Sequence, residues 1–201
     1  MNELKKVIFA TGNMQKFDEV KAMLAPVEVE QKALDIPEYQ GSFEFIIREK
    51  AKAACKQTGQ AVLVDDAGIE VTAFHGMPGP YGKDFFDGMG SQKFADMLEK
   101  FEDRSAKAIC MMAYCEPGQE PQIFEGIVEG TMVKTARGFG NHPKGWEFGY
   151  DPIFLPNGQE KTFAEMTKEE KNSMSHRTKA LNQFKEWIMK KQETKKQEKE
   201  Q

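Results

Sequence analysis

Apolar residues fall along the chain either in short continuous runs or in helix-spaced stripes, and the two patterns predict an alternation of strands and helices. LKKVIFA, residues 4–10, predicts a buried strand, which TGN at 11–13 breaks. Phe17, Val20 and Leu24 then recur at helical spacing and predict a helix ending near Ala25-Pro26. VEVEQKAL, 27–34, alternates as a half-buried strand does, and LDIPEYQGS, 34–42, reads as a loop from its Pro and Gly. In 43–57, Phe43, Ile46, Ile47 and Ala54 share one side with charges opposite, as in an amphipathic helix closed by Thr58-Gly59. AVLVDDAGIEV, 61–71, starts as an apolar strand, places Asp65 and Asp66 side by side, and is expected to turn at Gly68.

The segment 75–90, HGMPGPYGKDFFDGMG, holds five Gly and two Pro, too many for a regular element, along with large aromatics that a disordered linker would lack. It reads as an ordered functional loop leading into a helix near 91–101. SAKAICMMAYC, 105–115, and IFEGIVEGTMV, 123–133, bracket a PGQEPQ turn and predict an antiparallel pair. ARGFGNHPKGWEFGYDPIF reads as a second Gly-rich loop ending in a strand. TKEEKNSMSHRTKALNQFKEWIMKK follows as mostly helix, with Leu181, Phe184, Trp187 and Ile188 as its apolar stripe. One unit over 1–190 is expected, with 191–201 a charged tail that is disordered or a frayed helix.

A chain of 201 residues with 39% hydrophobic content and 15 Phe can furnish a sizeable core. Its formal net charge is −4, and residues 192–201 hold three Lys and three Glu, so the body is equally acidic without them. That balance argues against a nucleic-acid partner. Three cysteines, Cys55, Cys110 and Cys115, without CxxC spacing indicate neither a disulfide framework nor a zinc site. With only VIFA as an apolar run near the N-terminus, the expectation is a soluble, cytoplasmic protein that does not enter a membrane.

Three constellations bear on chemistry. TGNMQK places Thr11, Asn13 and Lys16 between strand and helix, where backbone N–H groups and a lysine one turn in suit an anion; equally, Thr11 or Asn13 caps the helix and Lys16 lies on a solvated face. Asp65 and Asp66, with Glu38 in the preceding loop, suggest a cation; hard oxygen donors without His or Cys favour Mg²⁺ over zinc. The alternative is an acidic turn facing water, or a carboxylate paired with Lys50. FGYDPIF and SHRTKA set Phe148, Tyr150, Asp151 and Arg177 as candidates for a flat, hydrogen-bonding ligand, against core packing for the aromatics and helix capping by Ser175. A phosphate grip, a metal site and a base pocket together describe a nucleoside phosphate.

FATGNMQKFDEV, LDIPEYQG, VLVDDAGIEV, GMPGPYGKDF, FEDRSAKAIC, FGYDPIF and KTFAEMTKEEKNSMSHRTKAL stand in the order and spacing of one family, over about residues 7–188. On these motifs the chain resembles the inosine triphosphate pyrophosphatase family, in its eukaryotic-type form. The resemblance implies an α/β fold with a long twisted mixed central sheet flanked by helices, two lobes with a cleft between them, and a homodimer. It implies hydrolysis of abnormal purine nucleoside triphosphates (ITP, dITP, XTP) to the monophosphate and pyrophosphate, a Mg²⁺-dependent reaction that cleans the nucleotide pool.

Carried over by position, Thr11, Asn13 and Lys16 hold the triphosphate, Lys50 and Lys83 add charge, and Glu38 and Asp66 sit at Mg²⁺ with Asp65 beside them. Phe148, Tyr150, Asp151, Lys171, His176 and Arg177 form the base and phosphate side. Asp66, as base, ligand or both, and Lys16 are the expected catalytic residues. The chain departs from the family at Ala67, where Ser or Thr usually follows the acidic pair. That departure keeps a weakened nucleotide-binding protein open as an alternative, beside a pyrophosphatase for modified pyrimidine nucleotides.

Overall fold

In the computed structural model, which describes residues 6–138 and 149–197, the first apolar run becomes strand β1 (Lys6–Ala10), with Val7 to Ala10 all buried. Helix α1 (Met14–Leu24) returns the chain to β2 (Glu28–Lys32), parallel to β1 with Lys6 opposite Glu28 and Ala10 opposite Lys32. Helix α2 (Phe43–Thr58) starts at Ser42, whose hydroxyl accepts the N–H of Phe45 at 3.3 Å. It stops at Gly59, left-handed at φ 64°, a conformation glycine adopts without a Cβ penalty. Strand β3 (Val62–Val71) then lies parallel to β1, Ile8 opposite Val62.

β4 (Pro78–Gly79) pairs antiparallel with the later part of β3, and α3 (Gly82–Met97) follows. β5 (Ser105–Cys115) and β6 (Gln122–Met132) are neighbours in the sheet, and β7 (Phe154–Pro156) lies antiparallel to β6. Helices α4 (Lys168–Met174) and α5 (His176–Gln197) complete the described chain. The seven strands form a mixed sheet in the order β2-β1-β3-β5-β6-β7, with β4 against β3. The fold is mixed α/β, as expected. Among the described residues no helix is long and apolar enough to cross a membrane.

The backbone groups into two compact units. The first comprises residues 1–66, 111–126 and 178–201. Its core sets Ile8, Ala10, Val62 and Val64 against Ile47, Ala51, Ala54 and Cys55 of α2, with Ala113 and Cys115 of β5. In the same unit α5 buries Leu181, Phe184 and Ile188, and the Phe184 ring lies 5.5 Å from both Tyr114 and Phe124. The second unit, residues 67–110 and 127–177, packs Ile69, Val71, Phe86, Phe94, Met132, Phe154 and Phe163. Within it a Cβ added at Gly130 of β6 would meet the Phe154 ring at 2.7 Å and the Leu155 carbonyl oxygen closer still. Gly130→Ala is therefore expected to destabilise the chain by about 1–3 kcal/mol in urea unfolding, since neither backbone nor buried ring can retreat freely.

Two expectations need correction. β3 does not turn at Gly68; it runs unbroken to Val71, because Ile69 and Val71 are core residues that hold the strand extended past the glycine. Regular structure enters the Gly-rich segment earlier than expected, with α3 starting at Gly82, because Phe86 buries on it; the glycines Gly76 and Gly79 before the helix take positive φ, and within the helix Gly90, at φ 78° and ψ 163°, makes a kink. Helix α5 itself runs on through Gln197, as Lys, Gln and Glu propagate a helix that upstream packing has nucleated.

Candidate active site

Two groups of polar side chains gather the residues singled out by the sequence, one in each unit. In the first unit the turn after β1 is fixed by its own side chains. Thr11 Oγ1 accepts the N–H of Asn13 at 3.1 Å, and Asn13 Oδ1 accepts the N–H of Lys16 at 3.2 Å, so Asn13 caps α1. Gln31 of β2 donates its amide to the Thr11 carbonyl at 3.1 Å. The capping reading of this motif is thus realised, and it leaves Lys16 to reach elsewhere.

The Lys16 ammonium lies 3.0 Å from Asp65 Oδ2, and Asp65 is only 2% exposed. Successive residues of a strand face opposite ways, so Asp66 shares the face of Val62 and Val64, which pack with α2. From α2, Lys50 donates to the Asp65 carbonyl at 3.0 Å and approaches Asp66 Oδ1 at 3.5 Å. The two carboxylates therefore sit within a strand rather than at its end, each with a lysine from a different helix. Burial pushes the Asp66 carboxyl above its ordinary range; Lys50 and then Lys16 pull it down without cancelling that effect, and Asp65 adds a smaller upward push.

Glu38 is exposed in the segment before α2, a segment to which Gln57 of α2 donates at the Asp35 carbonyl, 2.6 Å away. Among the described residues no three or more His, Cys, Asp or Glu side chains gather around a point that could hold a metal ion. The expected Glu38–Asp65–Asp66 set is thus not assembled as one cluster here: Asp65 is engaged by Lys16 and faces away from Asp66.

In the second unit the Tyr150 hydroxyl lies 3.0 Å from His176 Nε2, and Asp151 is ion-paired with Lys171. Phe163 is their common platform. The His176 ring stacks on it with centroids 5.9 Å apart, and the Lys171 ammonium sits 5.2 Å from its centroid. His176 and Arg177, at the start of α5, are both buried. A capping box at Thr167 and Glu170 fixes the start of α4, and Ser175, extended at φ −63° and ψ 157°, separates α4 from α5 so that Lys171 and His176 leave different helices.

The Lys83 side chain is 80% exposed, and its ammonium lies 2.6 Å from Asp87 one turn on. Phe148 lies outside the described residues. The sequence reading overlooked Gln31 and Phe163. Phe163 stands inside the quoted KTFAEMT stretch and could have been found as its one aromatic, whereas Gln31 gives no local signal.

The Ham1 family model matches residues 7–187. The chain is 45% identical over 186 residues to an inosine triphosphate pyrophosphatase of Aspergillus fumigatus, covering 91% of this chain and 94% of that protein. It is also 45% identical over 185 residues to a dITP/XTP pyrophosphatase of Methanopyrus kandleri, covering 90% and 95%. Among solved structures, a HAM1 protein from Coxiella burnetii superposes with a TM-score of 0.80 at 30% identity, over 92% of this chain and 98% of that one.

Proposed function

The chain belongs to the Ham1 family, and from that membership and the lysine–carboxylate pairs on β3 we propose that it hydrolyses ITP, dITP and XTP to the monophosphate and pyrophosphate with Mg²⁺. The observation that carries the reading is Asp66, a carboxylate kept high by burial with a single lysine loosely beside it. Such a group is a stronger base than an ordinary aspartate and gains from a second cation.

Mg²⁺ commonly takes one or two carboxylates, with substrate phosphates and water completing its shell, and the carboxylates that would hold it here are Asp66 and Glu38. Glu38 is exposed in the segment before α2, and Asp66 lies within β3. When bound, Mg²⁺ offsets charge on the phosphate oxygens and stabilises the leaving pyrophosphate. Lys16 and Lys50 supply fixed positive charge to the same oxygens, and the capped N-terminus of α1 adds its dipole. Asp66 accepts the proton of the attacking water as its oxygen bonds to phosphorus and the anhydride bond between the α and β phosphates breaks.

Base recognition falls to Tyr150, Asp151, Lys171, His176 and Arg177. Hypoxanthine and xanthine carry an oxo acceptor at C6 where adenine carries an amino donor, so groups such as the Arg177 guanidinium would donate to the first two and be opposed by the third. One such mismatch costs on the order of 1–3 kcal/mol, so kcat/KM for ITP is expected to exceed that for ATP by about ten- to a hundredfold. A panel of ITP, XTP, GTP, ATP and modified pyrimidine triphosphates tests it; a pyrimidine at the head of that panel would overturn the assignment, and no turnover of any would favour a binding protein weakened at Ala67.

A further inference from the structure

Gly90 breaks α3, and Ser91 opens its second segment. Ser91 has no exposed surface, and its hydroxyl donates to the Gly149 carbonyl at 2.7 Å. Gly149 is left-handed at φ 83°, and Tyr150 and Asp151 follow it directly. The Tyr150 carbonyl then accepts the N–H groups of Ile153 and Phe154, both at 3.0 Å, so the stretch 149–154 is one folded turn hung at its start on Ser91. Its side chains close on α4 and α5 through Asp151–Lys171 and Tyr150–His176.

The next residue of α3 acts alike on another stretch: Gln92 accepts the N–H of Ala136 at 2.8 Å and donates to the Lys134 carbonyl at 3.0 Å. The kink at Gly90 is what frees this start of the second helical segment to turn Ser91 inward. A buried hydroxyl is retained where it has a specific partner, and here that partner is the backbone of the base-side turn.

We infer that Ser91 is a positioning residue for substrate: through the Gly149 carbonyl it sets where Tyr150 and Asp151 stand, and so governs affinity for the base rather than the phosphoryl chemistry of Asp66 and Lys16. The inference rests on the reading of Tyr150 and Asp151 as substrate contacts. The nearby Ser91–Gly149 bond is 58 residues long in sequence, so it ties the turn to a rigid helix rather than to its own neighbours.

The test compares Ser91→Ala and Ser91→Cys with the unaltered full chain, by steady-state kinetics on ITP and by amide hydrogen exchange. In Ser91→Ala the amides of Ile153 and Phe154 should exchange faster while those of β5 do not, and KM for ITP should rise about three- to tenfold with kcat within about twofold. Ser91→Cys, keeping a weak donor, should fall between. Unchanged exchange at Ile153 and Phe154 overturns the inference, as does faster exchange throughout β5 and β6, or a loss confined to kcat. Asp151→Asn in the same assay separates the two layers. If it leaves KM for ITP unchanged, the base-side reading has failed, and exchange alone then decides whether Ser91 holds the turn.

Discussion

Asp66→Asn is expected to lower kcat for pyrophosphate release from ITP by at least about 10²-fold, the usual weight of a general base, in a protein no less resistant to heat at pH 7. The two halves of that outcome have one cause. Burial raises the Asp66 carboxyl in the folded chain above its value in the unfolded chain. Below the ordinary aspartate range both states hold the proton and the shift takes nothing from stability. As pH rises from there through the raised folded value, the unfolded chain ionises first, and stability is lost.

Above that raised value the folded chain carries the full cost of a charged Asp66, and Asn removes it along with the base. The same shift sets the direction of the pH profile. Activity needs the carboxylate, so the acid limb of kcat/KM for ITP should lie above the ordinary aspartate range. Added Mg²⁺, which favours the ionised form, should move it downwards. An Asp66→Asn protein that is unfolded, or as active as the unaltered chain, would contradict the role assigned.

Lys16→Met should cost stability as well as function. Asp65, 2% exposed, would lose the ammonium 3.0 Å away, and removing one partner of a buried pair costs about 3 kcal/mol, the lower end of the usual range because Lys16 keeps some contact with water. KM for ITP should rise at least about tenfold with loss of the phosphate cation. The double variant Lys16→Met/Asp65→Asn distinguishes the effects: urea unfolding should recover most of the lost stability, because no buried charge is left behind, while KM stays high. If KM recovers along with stability, Lys16 serves the fold and not the phosphates.

Much of the first unit was legible in the sequence because its signals are local. The run VIFA, the TGN break and the stripe Phe17, Val20, Leu24 lie within about twenty residues and give β1, the capped turn and α1 nearly in place. Ser42 before Phe43 and Gly59 after Thr58 bound α2 by capping chemistry alone. Gly68 was misleading for a physical reason. Glycine permits a turn but does not impose one, and Ile69 and Val71 needed the strand to continue into their core.

That one error changed the reading of the site. A turn at Gly68 places Asp65 and Asp66 together at a strand end, where a shared cation suits them. A continuous strand sends them to opposite faces, one to Lys16 and the other to Lys50. The Gly-rich segment misled in the same way: Gly76 and Gly79 do serve the irregular stretch, but Gly82 and Gly88 lie in α3, which only Gly90 interrupts.

What could not be read were the long-range polar contacts. Gln31 to Thr11, Ser91 to Gly149 and His176 to Tyr150 join residues far apart in the chain, and nothing in their own neighbourhoods marks them. The motif stretches named Tyr150, Asp151, Lys171 and His176 separately; only the structure shows that the Phe163 ring lies beneath both His176 and Lys171.

The most direct test is the identity of the products. Incubated with ITP and Mg²⁺, the chain should release IMP and pyrophosphate in equal amounts, with ATP turned over far more slowly; IDP with inorganic phosphate, or no cleavage at all, would contradict the assignment.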